Sequence, residues 1–254
     1  MIVSNFKENL VINNSQKIVI PARMTGTRLP GKPLIDIAGK PMLLWVWEQC
    51  ELVMDKTDIF VATEDKVIEE FCFSHNINCV NTGPALTAID RIKLFSDLIP
   101  AKSYINVQGD EPIVNPLDIK TIMTYTTNFP NRVVFGKCSA SKAVFFDHTK
   151  AKVICRSDGK LLYSSRAPIP MSTDGGFRSS EKAVWIYGFY KEALDLYYNG
   201  FDKAPIEKIE GNEIIRFLEL GVDVFCTDVI GDSWAVDVKN DIKIVEEIMN
   251  SKNQ

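Results

Sequence analysis

A short β-branched run closed by proline, Lys17-Ile18-Val19-Ile20-Pro21, opens directly into a loop rich in glycine, proline and arginine that lasts from Ala22 to Pro33. Such a run reads as a strand buried on both faces, as parallel strands are. Beyond the loop, helices and strands alternate. A helical pattern spans about Lys40 to Val53, a second strand Asp58 to Thr63, and a second helix Asp65 to Ser74. Thr87 to Leu98 reads as helix, Tyr104 to Val107 as a short apolar strand, and Leu117 to Asn128 as helix again. Strands alternating with helices predict a parallel sheet covered on both faces. Ligands of such sheets bind in the crevice beyond the carboxyl ends of the strands. The two loops richest in chemistry, after Pro21 and after Val107, both leave a strand at that end.

The rhythm changes beyond Arg132. Arg132 to Ala140, Lys150 to Arg156, Leu161 to Ser164 and Ala183 to Tyr190 read as strands, with Ser157-Asp158-Gly159-Lys160 as a hairpin turn. Pro205 to Leu220 reads as one amphipathic helix closed by Gly221, Val222 to Cys226 as a strand, and Asp241 to Met249 as a final helix. No composition break marks a linker. The expectation is one domain over 17–254, with a mixed-sheet extension at about 132–220 for acceptor contacts or dimerisation. Met1 to Gln16 is expected to be a loose arm or a short added strand.

The net charge of -4 does not suggest a nucleic-acid partner. It also repels free nucleotides, so any nucleotide site must concentrate cations locally. The six cysteines form no C-x-x-C pair, and they read as thiols in a reducing cytoplasm. His75 and His148 sit beside turn-like residues and read as surface groups. No apolar run is long enough to span a bilayer, and the first residues lack the pattern of a secretion signal.

The loop supplies those cations. Arg23, Arg28 and Lys32 fall within one ten-residue stretch just past a strand end, and Gly26 and Gly31 permit close backbone approach. A triphosphate needs this combination of fixed cations and exposed N–H groups. The loop is not a Walker A sequence, because Pro33 stands where Ser or Thr is required, and the dinucleotide glycine fingerprint is absent too. Gln108-Gly109-Asp110-Glu111-Pro112 places a carboxylate just past a central strand, where it is suited to Mg²⁺. Trp234-Ala235-Val236-Asp237-Val238 offers a second carboxylate. Either aspartate, taken alone, reads as an ordinary helix cap. Together the three segments fit in-line attack of a hydroxyl on an α-phosphorus with loss of pyrophosphate. A metal-dependent glycosyltransferase, a sugar nucleotidyltransferase for another base, and a non-catalytic nucleotide-binding module are the competing readings.

The runs I-P-A-R-x-x-x-T-R-L-P-G-K-P-L, G-K-P-M, V-A-T-E-D and N-V-Q-G-D-E-P, then Y-S-S-R-A-P-I-P, I-Y-G and E-K-I-E, resemble the 3-deoxy-manno-octulosonate cytidylyltransferases over about 17–250. The resemblance implies a three-layer α/β/α nucleotide-binding domain with a mostly parallel mixed sheet (nucleotide-diphospho-sugar transferase-like) and a small mixed-sheet extension. It implies a homodimer using CTP, Mg²⁺ and a sugar acid. Arg23 and Lys32 match the family's phosphate-binding pair, and Asp110 and Asp237 its metal carboxylates. Ala22, Arg28, Thr63, Arg91 and Gln108 are expected on the nucleotide side. Gln108, Arg166, Tyr187 and Glu213 are expected on the acceptor side.

Three stretches depart from the family pattern. H-x-S-G-T-[DE]-R is here Ala85 to Arg91, keeping Asp90 and Arg91. H-x-G-I-Y is Ala183-Val184-Trp185-Ile186-Tyr187, and the Gln expected after Glu213 is Ile214. The last two changes remove polar groups from the acceptor side. They imply either a relative of 3-deoxy-manno-octulosonate, deoxygenated or amino-substituted, or other residues filling the same roles.

Overall fold

In a computed structural model the described residues are 16–26, 28–198 and 202–252. All of the expected N-terminal arm except Gln16 lies outside them. The main sheet is built on β1 (Gln16–Pro21), with β4 (Ile59–Thr63) and β6 (Ser103–Val107) parallel on its two sides. β5 (Cys79–Asn81) extends one edge. On the other side β10 (Glu181–Tyr190) runs antiparallel to both β6 and β7 (Val133–Ser139), and β11 (Val224–Asp228) closes that edge parallel to β7. The order is therefore β11-β7-β10-β6-β1-β4-β5. β8 (Lys152–Cys155) and β9 (Leu161–Ser165) form a hairpin joined to this path through β10. A separate two-stranded ribbon pairs β2 (Asp36–Ile37) with β3 (Lys40–Pro41).

Side-chain alternation along the strands explains the three layers. From β1, Ile18 and Ile20 enter the core under α1 (Met42–Glu51), α2 (Lys66–Ser74) and α4 (Pro116–Asn128). Val19 points the other way, into the core under α3 (Ala88–Leu98), α6 (Lys191–Tyr197) and α8 (Ile215–Glu219). β6 repeats the pattern, with Ile105 and Val107 in the first core and Tyr104 in the second. A third, smaller cluster packs Val236 and Val245 against Ile37, Met42 and Ile113. It seats α9 (Lys239–Lys252) beside the ribbon and returns the end of the chain to the mouth of β6.

The three-layer α/β/α class is as expected, as are the exposed His75 and His148. The single helix read over Pro205 to Leu220 is two. α7 (Pro205–Glu210) stops at Gly211, whose left-handed φ of 59° ends the helix, and α8 restarts at Ile215. The break is held open by Asn212, which donates to Ser164 Oγ at 2.8 Å. The expectations also missed β5, α5 (Lys142–Phe146) and α6. Each is short, with only part of its surface buried.

Arg216 binds the second layer together. It is fully buried, donates to both Glu207 oxygens at 2.6 and 2.9 Å and to Asp90 Oδ1 at 3.0 Å, and stacks 4.0 Å from the Tyr197 ring centre. One side chain thus joins α3, α6, α7 and α8. Replacing it strands two buried carboxylates, and such a loss costs about 3–5 kcal/mol. Arg216→Met is expected to lower unfolding free energy by that amount in urea titrations, and a loss near zero would show that the pairs contribute little.

Candidate active site

A cleft of about 410 Å³ opens beyond the carboxyl ends of β1 and β6. One wall is the basic loop. Met24 N donates to Asp65 Oδ2 at 2.7 Å, and Gly26 N and Gly31 N both return to Met24 O at 2.9 Å. The loop is therefore folded on itself and latched to the end of β4. Gly31 adopts a left-handed φ of 72°, open to glycine at little cost, and leads into a 3-10 turn over Lys32–Leu34 that carries Lys32 inward. The opposite wall begins at Gly109. A Cβ there would lie 2.7 Å from Pro21 O, so only glycine lets the β6 loop pass this close to β1.

Lys32 Nζ lies 2.5 Å from Asp110 Oδ2 and 3.3 Å from Asp237 Oδ1, and Arg28 reaches the same Asp237 oxygen at 3.0 Å. Burial opposes the charge on Lys32. The Asp110 and Asp237 carboxylates outweigh that penalty and hold its pKa above the ordinary lysine value. Asp237 is fixed from behind. Val236 N donates to Asp110 O at 2.8 Å, while the Asp241 carboxylate accepts from Asp237 N, Val238 N and Trp234 Nε1.

Ala22, Arg23, Arg28, Lys32, Arg91, Gln108, Asp110, Glu213 and Asp237 all line this one cleft. Arg91 is nearly buried, and its guanidinium is held by Glu64 Oε1, Thr82 Oγ1 and Gly83 O. Glu213 accepts from Ala88 N and Ile89 N at the start of α3, and burial raises the pKa of its carboxyl group. Thr63, Arg166 and Tyr187 do not line the cleft. Thr63 is buried at the end of β4, where its hydroxyl accepts from Asp65 N. Arg166 lies behind Gly211, a lining residue, and donates to its carbonyl at 3.3 Å. Tyr187 is in the second core, opposite Asn106 in the β10–β6 register and 6.1 Å from the Trp185 ring. Asn106 is fully buried, and neither atom of its amide has a hydrogen-bond partner among the described residues.

Asp65, Glu64 and Asp241 were not singled out as site residues by the sequence. Their work is to hold other residues, through contacts 27 and 41 positions away for Glu64 and Asp65. The V-A-T-E-D run was the available signal for the first two.

The strand order, the cleft at the carboxyl ends and the cation–carboxylate centre define a nucleotidyltransferase of the α/β class. The family model described as cytidylyltransferase matches residues 17–224. The chain belongs to the cytidylyltransferase family. It is 32% identical over 237 residues to a 3-deoxy-manno-octulosonate cytidylyltransferase of Koribacter versatilis, covering 92% of this chain and 90% of that one. It is also 32% identical over 239 residues to an 8-amino-3,8-dideoxy-manno-octulosonate cytidylyltransferase of Shewanella woodyi, covering 90% and 96%. A solved CMP:2-keto-3-deoxy-manno-octonic acid synthetase complexed with CTP superposes with a TM-score of 0.86 at 30% identity, covering 93% of this chain and 99% of that one.

Glu111, beside Asp110, gives the site a pH signature. It is 6% exposed, and burial, reinforced by the Asp110 charge, pushes its carboxyl pKa up to about 7 from 4.5. The folded state then binds more protons than the unfolded one between these values, so the contribution is full below pH 4.5 and lost as pH rises through 7. With chelator present, the stability of the unaltered chain relative to Glu111→Gln is expected to fall across that window. Parallel pH profiles of the two proteins would refute the assignment.

Proposed function

We propose that the chain couples CTP to a 3-deoxy-2-keto sugar acid, 3-deoxy-manno-octulosonate or a close relative, giving a CMP-sugar and pyrophosphate. The observation that carries this is the meeting of Lys32, Asp110 and Asp237 at the strand ends, flanked by Arg23 and Arg28. Arg23, Arg28 and Lys32 hold the triphosphate, with the backbone at Ala22 close against it. Thr63, Arg91 and Gln108 shape the nucleotide side. Gln108, Arg166, Tyr187 and Glu213 serve the acceptor. The acceptor hydroxyl loses its proton, its oxygen bonds to the α-phosphorus, and the bond from that phosphorus to the bridging oxygen breaks. Pyrophosphate leaves into the cation cluster. The protein's part is positioning and electrostatics.

The carboxylates fit Mg²⁺. Two hard oxygen donors converge on one cationic nitrogen, and no cluster of three or more acidic, histidine or cysteine ligands exists among the described residues. That donor set suits a cation which keeps waters and phosphate oxygens in its shell. Asp110 and Asp237 would hold it, and when bound it supplies charge neutralisation at the phosphates. Residues 17–254 are read as one catalytic unit, with about 132–220 as the acceptor and dimerisation extension of a homodimer. Ile209 at 85% exposure and Leu162 at 56% lie on that stretch and support self-association. Free thiols at all six cysteines support a cytoplasmic setting. Among the described residues no helix is long and apolar enough to cross a membrane.

A second, narrower reading concerns the acceptor. Ala183, Trp185 and Ile214 all join the apolar core around Tyr187. This favours a relative of 3-deoxy-manno-octulosonate with fewer hydroxyls or an amino group. Comparing kcat/KM over a panel of such acids tests it, and a clear preference for the ordinary octulosonate would eliminate it without touching the reaction class.

Pyrophosphate release measured with four nucleoside triphosphates against several 2-keto-3-deoxy sugar acids is expected to respond only when CTP and a sugar acid are both present. Release from CTP alone, or equally from every triphosphate, would overturn the proposal. Asp110→Asn is expected to lower kcat by at least about a hundredfold, in line with loss of one preorganised electrostatic contact. A variant of ordinary activity would remove Asp110 from the mechanism.

A further inference from the structure

Lys152 is fully buried, yet no carboxylate touches its ammonium. Its three N–H donors go to three backbone carbonyls: Asp147 O at 2.8 Å, Lys150 O at 2.7 Å and Arg166 O at 2.7 Å. A lysine ammonium has three donors, and all are used. These carbonyls come from the turn after α5 and from the residue just past β9, two segments that the Lys152–Ser165 pairing of β8 with β9 brings side by side. Burying a charge is costly unless directed dipoles offset the lost water.

The other party is Arg166. Its Nε donates to Glu210 O at 2.9 Å, one terminal nitrogen to Thr149 O at 2.7 Å, and the other to Gly211 O at 3.3 Å. Its backbone N–H donates to Glu210 Oε2 at 3.0 Å. The turn over 147–150 is thus gripped twice. Lys152 holds the carbonyls at its two ends, and Arg166 holds the Thr149 carbonyl between them. The guanidinium has five N–H donors and spends three on these carbonyls, which leaves two unspent among the described residues. Gly211, on which it leans, lines the cleft.

We infer that Lys152 is a positioning residue for the acceptor: it clamps the 147–150 turn and the Arg166 carbonyl so that the remaining guanidinium donors present a fixed fork to the acceptor's carboxylate. The inference rests on the proposed acceptor role of Arg166 and deepens it. Arg presents its donors in a rigid planar fork that matches a carboxylate, so a small rotation of that fork is felt directly in acceptor binding. CTP binds against the basic loop on the far wall and does not depend on this clamp.

Lys152→Met keeps bulk and removes every donor. Its KM for the sugar acid is expected to rise by roughly tenfold to a hundredfold, as slight misplacement of a positioning group does, while the KM and calorimetric Kd for CTP stay within about twofold. An unchanged acceptor KM overturns the inference, and so does an equal rise for both substrates. Arg166→Ala separates the role of the clamp from that of the fork. If it leaves acceptor KM unchanged, the acceptor role of Arg166 fails and this inference with it. If it raises acceptor KM and Lys152→Met does not, only the Lys152 inference fails. Should Lys152→Met not fold, the unaltered enzyme decides. Burial pulls the Lys152 pKa below the ordinary lysine value, with Asp147 and Glu210 opposing and Arg166 reinforcing. Acceptor KM should then climb at alkaline pH before an ordinary lysine titrates, with CTP KM flat, and a flat acceptor profile refutes the clamp.

Discussion

Two carboxylates from distant parts of the chain meet one ammonium, and most of the architecture around the cleft serves that meeting. Asp110 and Asp237 both reach Lys32 Nζ, across 78 and 205 positions of sequence. Without a shared cation the two carboxylates would repel each other. The parallel pairing of β1 with β6 brings the loop after Pro21 beside the loop after Val107. The third hydrophobic cluster brings Asp237 to them, since burying Val236 against Ile37 and Met42 leaves the next residue at the mouth of β6. A hydrophobic contact on one residue thus fixes where the carboxylate of its neighbour lies.

The chain is acidic overall, so the local positive field has to be built and then held. Acids at strand and helix ends do the holding. Asp65 latches the loop through Met24 N, Glu64 keeps Arg91 at the rim, and Asp241 gathers the backbone around Asp237. The proposed acceptor side follows the same logic with carbonyls in place of acids, where the 147–150 turn and Gly211 hold Arg166. Lys32, Arg91 and Arg166 each have fixed partners, which is what preorganised electrostatic catalysis requires.

Much of this was legible in the sequence, for physical reasons. β1 and β6 are buried on both faces, so Ile18 to Ile20 is unbroken and β6 is interrupted only at Asn106, and both exits carry loops whose residues have few other uses. Lys32 follows from that position, and Asp110, an ordinary helix cap when taken alone, from its position together with the loop cations. Asp237 does not. An aspartate before a helix is common, so Asp237 was a weak second carboxylate until it matched the family's metal pair. The long helix over Pro205 to Leu220 failed because its apolar spacing continues across Gly211, while the break is imposed by Asn212 reaching Ser164 on another strand. Lys152 was invisible for the same reason. A lysine within an apolar strand says nothing about which three carbonyls will surround it.

If Asp110 and Asp237 form one cation site facing the triphosphate-binding cations, anomalous scattering from crystals grown with Mn²⁺ and CTP will show it. A single strong peak is expected between the two carboxylates, with Lys32 turned from them toward a phosphate oxygen. A peak away from both residues, or nucleotide bound with Lys32 still bridging the two acids, would contradict it.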